Sequence, residues 1–175
     1  MPSGVCGSRV SGITSIVATN SIMVPAERSE VFTVIADPAT YPHWLAGARR
    51  ILSVDDRWPD PGTSFRHVVG IGPLTVSDTT VSLGALAPSM LEMQVRARPF
   101  GKGRVRFELD HVDPAAAGFQ TDAIATRVTI VETPDSPLLR LMKPMLDVAL
   151  QVRNGGSLRA LRTFVAGAEF SAGRS

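Results

Sequence analysis

Two side chains near the middle of the sequence, His67 and Asp78, could perform acid–base chemistry if folding brings them together. The dipeptide Gly72-Pro73 stands between them and is typical of a tight turn. If this turn joins the predicted strands Ser64–Ile71 and Leu74–Leu83, His67 lies opposite Asp78, with Cβ atoms about 4.5–5.5 Å apart. A neighbouring carboxylate orients an imidazole and raises its pKa, so we predict that the pair could act as a general base.

The same pair has a second interpretation, because buried polar groups need hydrogen-bonding partners whether or not they catalyse a reaction. His67 shares its predicted strand face with Phe65 and Val69, and Asp78 shares its face with Val76. Alternation of this kind indicates a sheet with one buried and one solvated face. The pair could therefore be a structural hydrogen bond inside an apolar pocket, and both interpretations stay open at this point.

Alternating patterns with turn residues between them predict seven strands, and helical spacing predicts three helices. The predicted strands are Ser15–Val24, Arg49–Val54, Ser64–Ile71, Leu74–Leu83, Met90–Arg98, Arg104–His111 and Gln120–Glu132. Two short helices follow the first strand, because Asp37-Pro38 ends one helix and caps the next. A long C-terminal helix starts at Ser136-Pro137 and reaches about Ala168. This helix is the only large apolar element left to cover the apolar face of the sheet.

Residues 24–44, VPAERSEVFTVIADPATYPHW, resemble the opening of the START-like (SRPBCC, helix-grip) superfamily, which includes polyketide cyclase/dehydrase-like proteins and lipid carriers. The DPATYPHW segment, the element order and the terminal RNGGSLRAL segment carry this resemblance over residues 15–168. It implies an α+β fold in which a curved seven-stranded antiparallel sheet wraps around a long C-terminal helix and leaves a cavity. In the resembling families the two short helices lie over one end of the cavity, so we expect Tyr41 and Trp44 at its mouth.

Strand parity, helical spacing and this fold together predict the residues of the site. The predicted catalytic residues are His67 and Asp78, and the predicted ligand-binding residues are Tyr41, Trp44, Phe65, Val69, Val76, Leu91, Met93, Val95, Phe107, Leu109, Thr126, Val128, Met142 and Met145. We expect carriage or sequestration of a hydrophobic small molecule such as a lipid or polyketide. The alternatives are an enzyme similar to polyketide aromatases and cyclases, and a non-enzymatic stress or interaction protein that uses the fold as a scaffold.

Composition narrows the classes of partner. A net charge of +2 gives no strong case for a nucleic-acid partner. The His and Cys residues are scattered and do not have the spacing of metal ligands, and the sequence has no cofactor-binding motif. We expect one domain over residues 15–168, between a flexible leader at 1–14 and a frayed end at 169–175. No signal-peptide core or run of membrane-span length is present, so we expect a cytoplasmic protein without stable membrane insertion. A homodimer stays open.

Overall fold

The computed structural model describes residues 18–97, 101–112, 124–135 and 143–172, and its largest element is a seven-stranded antiparallel sheet. The strands are β1 Ala18–Val24, β2 Ala48–Val54, β3 Ser64–Ile71, β4 Leu74–Leu86, β5 Met90–Ala97, β6 Gly101–Val112 and β7 Ala125–Pro134. Their order in the sheet is β1-β7-β6-β5-β4-β3-β2, so each strand from β2 to β7 pairs with its sequence neighbours, and β1 joins the far edge beside β7.

Helices cover one face of this sheet. They are α1 Arg28–Ala36, a one-turn 3-10 helix at Pro38–Thr40, α2 Tyr41–Trp44 and the long C-terminal helix α3 Lys143–Ala172. In the region between β1 and β2, as predicted, Asp37 ends α1, and its carboxylate accepts a 2.9 Å hydrogen bond from the Ala39 amide. The predicted α+β helix-grip architecture is confirmed, with α3 packed against β1 and α2.

The hairpin of β3 and β4 has the predicted register. His67 pairs with Asp78, Val69 with Val76 and Ile71 with Leu74 across a turn at residues 72 and 73. Residues 72–77 are all exposed, so the tip of this hairpin projects past the elements that cover the inner face. Because inner-face residues alternate, Phe65, His67, Asp78 and Thr80 are buried farther down the same two strands.

One half of the inner face is a solid hydrophobic core. The buried side chains that fill it come from α1 (Val31, Phe32, Ile35), from the second half of α3 (Leu158, Leu161, Val165) and from the sheet (Leu91, Leu109, Val128). Burial of one such side chain stabilises the fold by roughly 1.5–3 kcal/mol. This half fixes the position of α3 on the sheet, while the other half of the inner face stays open.

The helix α3 continues to Ala172, past the predicted end at Ala168. The predicted leader at 1–14 and Met142 lie outside the described residues, and so does the side chain of Met145. In the part of the chain that the structure describes, no helix is long and apolar enough to span a membrane. The same residues contain no group of three or more His, Cys, Asp or Glu side chains placed to hold a metal ion.

Candidate functional site

An internal cavity of about 550 Å³ lies between the open half of the sheet and the first half of α3. Most of its wall is apolar. The apolar side chains that line it are Phe65, Val69, Met93, Val95, Val105, Phe107 and Ile130 from the sheet, and Tyr41, Leu45, Ala149 and Leu150 from the helical side. This volume is within the range of roughly 300–1,000 Å³ that is typical of small-molecule sites.

His67 provides one polar group of the cavity wall. Its Nε2 lies 3.2 Å from the hydroxyl oxygen of Thr80, and both residues line the cavity. The ring is 8% exposed and lies beside Phe65, and its Nδ1 has no hydrogen-bond partner among the residues that the structure describes. Burial lowers the pKa of His67 below its usual value of 6.5, although the nearby Asp78 carboxylate opposes that shift. The imidazole is therefore neutral at pH 7 and competent as a base.

Asp78 is buried opposite His67, but its carboxylate does not bond the imidazole. Oδ1 accepts a 2.7 Å hydrogen bond from the Thr79 amide, and Oδ2 has no partner within the described ranges. Asp78 is not part of the cavity wall. Asp78 does raise the pKa of His67, as expected, but loss of water around the ring has the larger effect, so the net shift of this pKa is downward.

Tyr41 lines the cavity and is 1% exposed. Its hydroxyl donates a 2.8 Å hydrogen bond to the Ile35 carbonyl and lies 3.7 Å from Sδ of Met93. Burial raises the pKa of this hydroxyl, and Asp37 adds to the rise. Edge contacts with Trp44 and Phe65, at ring-centroid distances of 5.2 and 5.5 Å, fix the ring further.

Nine of the predicted ligand-binding residues fall into two groups. Those that line the cavity are Tyr41, Phe65, Val69, Met93, Val95 and Phe107. Leu91, Leu109 and Val128 do not line the cavity and are buried in the core that also contains side chains of α1 and of the second half of α3. Thr126 belongs to neither group, since its buried hydroxyl donates to the Ala26 carbonyl at 2.8 Å. The prediction that Val76 binds the ligand is wrong, because this residue lies near the hairpin tip and is 47% exposed.

Trp44 lies outside the cavity and lines a second, more open groove of about 410 Å³. The segment 45–48 lies between the groove and the cavity and lines both. Hydrogen bonds hold this segment from two sides: the Ala46 amide donates to Oγ of Ser157 at 3.0 Å, and the Gly70 amide donates to the Gly47 carbonyl at 2.9 Å. The segment therefore links α3 to the β3–β4 hairpin along one side of the cavity.

A second polar region of the cavity was missed in the sequence. It consists of Glu132 on β7 with Arg153 and Asn154 on α3, all of which line the cavity. Two signals could have found it. Glu132 has the same strand parity as the buried Ile130, and Asn154 stands four residues before Leu158 on the helical face that packs on the sheet.

Comparisons with known proteins agree with this fold. Residues 15–165 match the model of the family described as polyketide cyclase / dehydrase and lipid transport. No curated protein matches the sequence at a significant level.

Several solved structures have the same fold. A START superfamily protein from Mycobacterium smegmatis is 17% identical, with a TM-score of 0.61 over 86% of this chain and 97% of that protein. A protein from Rhodobacter sphaeroides is 18% identical, with a TM-score of 0.64 over 85% and 92% of the two chains. A conserved protein from Geobacillus kaustophilus is 12% identical, with a TM-score of 0.60 over 86% and 95%. At such identities the likeness supports the fold alone.

Proposed function

The chain belongs to the polyketide cyclase / dehydrase and lipid transport family, and on that basis we propose that it carries or sequesters a hydrophobic small molecule in its internal cavity. The observation that carries this proposal is the cavity of about 550 Å³ between sheet and helix. Its wall is apolar except for a few polar groups, which is the usual composition of a pocket that binds a small organic ligand. A lipid or a polyketide has the matching chemistry.

The size of the cavity also bears on the scaffold alternative. A protein that uses the fold only as a scaffold would gain stability by filling the space with side chains, because interiors are normally close-packed. Here Met93, Val95 and Phe107 leave the space open, although the same strands carry fully packed residues such as Leu91 and Leu109. This contrast within single strands favours a function that needs the space.

The binding proposal can be tested with two neighbouring valines of β3. Val69 lines the cavity, while Val68 has the opposite parity and lies on the other face of the sheet. Val69→Phe should fill part of the cavity and weaken binding of a neutral phenylnaphthylamine dye by about tenfold or more, and Val68→Phe should bind the dye like the wild type. Binding is followed by dye fluorescence, and thermal unfolding confirms that both variants fold.

Equal dye binding by the wild type and Val69→Phe would refute the cavity as the binding site. Native mass spectrometry of protein isolated without organic solvent gives an independent measurement. We expect one bound lipid-sized or polyketide-sized molecule in the wild type and a lower occupancy in Val69→Phe. A wild-type protein that binds no dye and carries no small molecule would count against the proposal as a whole.

One observation supports an enzymatic alternative, in which the cavity also catalyses aldol-type closure or dehydration. His67 is on the cavity wall, its imidazole is neutral at pH 7, and its Nδ1 lacks a partner among the described residues. A neutral imidazole could remove a proton from a carbon next to a carbonyl group. A β-hydroxy ketone with an aromatic ring is a suitable probe, since loss of water gives an enone that absorbs in the ultraviolet. Catalysis by the wild type that is lost in His67→Gln, with dye binding retained, would favour this alternative.

A further inference from the structure

On the β7 and α3 side of the cavity, two lining residues each have a buried polar atom without a hydrogen-bond partner among the described residues: Oε1 of Glu132 and Nδ2 of Asn154. Asn154 is 1% exposed and Glu132 is 9% exposed. In native proteins most buried polar groups find a partner in the protein, in ordered water or in a ligand. An unpaired acceptor and an unpaired donor on the same cavity wall therefore indicate that something else completes them.

The neighbouring arginine neutralises the region but does not complete it. Nη1 of Arg153 lies 3.6 Å from Oε1 of Glu132, which is an ion-pair distance and too long for a hydrogen bond. Nε of Arg153 donates to the Ala46 carbonyl at 3.4 Å, so this side chain is held near the segment 45–48. The carboxylate is thus balanced in charge while its buried oxygen still lacks a donor.

The two unpaired atoms specify the hydrogen-bonding chemistry of their partner. A group that satisfies both must donate a hydrogen bond to Oε1 of Glu132 and accept one from Nδ2 of Asn154. A hydroxyl can make either bond, because its oxygen both donates and accepts. A carboxylate has no proton to donate at neutral pH and would meet the negative charge of Glu132.

We infer that Glu132 and Asn154 form a recognition site for a hydroxyl group at the polar end of the cavity ligand, an inference that rests on the proposed function. The ligand class is then a hydrophobic alcohol or phenol rather than a fatty acid. A hydrogen bond to a charged acceptor contributes more than one between neutral groups, so Glu132 is the main source of the preference.

A third unpaired atom nearby provides the control. Oδ1 of Asn20 on β1 is also buried without a partner in the described ranges, but Asn20 does not line the cavity. Nδ2 of Asn20 donates to the Gln151 carbonyl at 3.2 Å, so this side chain joins β1 to α3. Asn20→Leu thus removes a comparable unpaired oxygen without changing the proposed site.

The experiment compares decanol, fluorodecane and decanoate as competitors of the phenylnaphthylamine dye. Fluorodecane is nearly isosteric with decanol and has no proton to donate. We expect decanol to bind the wild type about tenfold more tightly than fluorodecane, since a hydrogen bond to a charged group gives about that ratio. Glu132→Met and Asn154→Leu should each remove most of the preference and leave fluorodecane binding unchanged. Asn20→Leu should keep the preference.

The outcomes separate the inference from the proposed function. If decanol and fluorodecane bind the wild type equally, the two atoms are completed by water only and the inference fails while the binding proposal stands. If decanoate binds more tightly than decanol, and Glu132→Met increases the affinity for decanoate further, the region binds an anion and the inference is again overturned. If none of the three displaces a bound dye, the inference fails while the binding proposal stands. If the wild type binds neither the dye nor any of the three when each is titrated alone by calorimetry, the proposed function fails as well.

Discussion

His67 and Asp78 are direct cross-strand partners on β3 and β4, yet the imidazole bonds Thr80 and not the carboxylate. No hydrogen bond or ion pair joins the two side chains in the part of the chain that the structure describes. A catalytic dyad needs the carboxylate to orient the ring, and here the Thr80 hydroxyl has that position. The arrangement therefore favours a ligand-binding role for His67 over a catalytic pair, although its unpaired Nδ1 keeps it available as a polar contact.

Two of the polar regions of the cavity wall lie on strands that are far apart in the sheet. His67 is on β3 and Glu132 is on β7, with β4, β5 and β6 between them in the sheet. At about 4.8 Å between neighbouring strands, the two strands are roughly 19 Å apart along the sheet. The apolar side chains of Met93, Val95 and Phe107 lie between these two polar regions. An elongated, mostly apolar molecule with polar groups near its ends would match this distribution.

The first prediction concerns the pH dependence of stability. Burial lowers the pKa of His67 in the folded state, so the unfolded chain binds more protons once the pH falls below about 6.5. His67 should therefore contribute stability above that pH and lose it as the solution becomes more acidic. His67→Gln removes the contribution, so the wild type minus variant difference in unfolding free energy should shrink from pH 8 to pH 5, by at most about 1.4 kcal/mol per pH unit.

Urea unfolding at several pH values checks this prediction. His43 and His111 are exposed and present in both proteins, so their effects cancel in the difference. A difference that grows in acid would mean that the Asp78 carboxylate, rather than loss of water, dominates the environment of His67.

The sequence predicted the sheet and the hairpin register because both depend on short-range rules. Alternation determines which face each strand buries, and the turn at residues 72 and 73 sets which residues of β3 and β4 are opposite. Knowledge of the face does not distinguish a cavity wall from a packed core. Leu91 and Met93 have the same parity on β5, but only Met93 borders the cavity.

That distinction arises from the long-range placement of helices over the sheet. Leu91 and Val128 belong to the core that contains side chains of α1 and of the second half of α3, whereas Val95 borders the cavity beside the first half of α3. The hydrogen bond between His67 and Thr80 was likewise not predictable, because it depends on a rotamer choice between two buried polar neighbours on β4. The predicted register limited the possible hydrogen-bond partners of His67 to the polar residues of β4, but it could not show which of these residues bonds the ring.

The second prediction compares the packed and open halves of the inner face. Val128 is fully buried in the solid core, and Val95 is a half-buried residue of the cavity wall. Val128→Ala should lower the free energy of unfolding by about 2–3 kcal/mol, because it removes buried methyl groups and leaves a new void. Val95→Ala should lower it by about 1 kcal/mol or less, because the removed atoms already face open space.

Both variants change a valine to alanine in a strand, so intrinsic strand preference is matched between them. Denaturant unfolding of the ligand-free proteins gives the comparison. Equal losses of stability would show that the space above Val95 is closed in solution.

The third prediction concerns Gly70, at the point where β3 meets the segment 45–48. A Cβ at this position would overlap the Leu74 carbonyl and crowd Thr75, and the Gly70 amide donates to the Gly47 carbonyl at 2.9 Å. Gly70→Ala should therefore destabilise the protein by about 1–3 kcal/mol, the usual effect of overpacking. It should also speed hydrogen exchange of the amide at position 70, because the added methyl group would strain the hydrogen bond between residues 70 and 47.

Gly156→Ala is the matched control, since a Cβ there meets no atom within 4 Å and the residue lies within α3. This control should raise stability by about 0.5–1 kcal/mol through the lower entropy of the unfolded chain. A Gly70→Ala protein as stable as the wild type, with unchanged exchange at residue 70, would show that the segment 45–48 does not depend on this close approach.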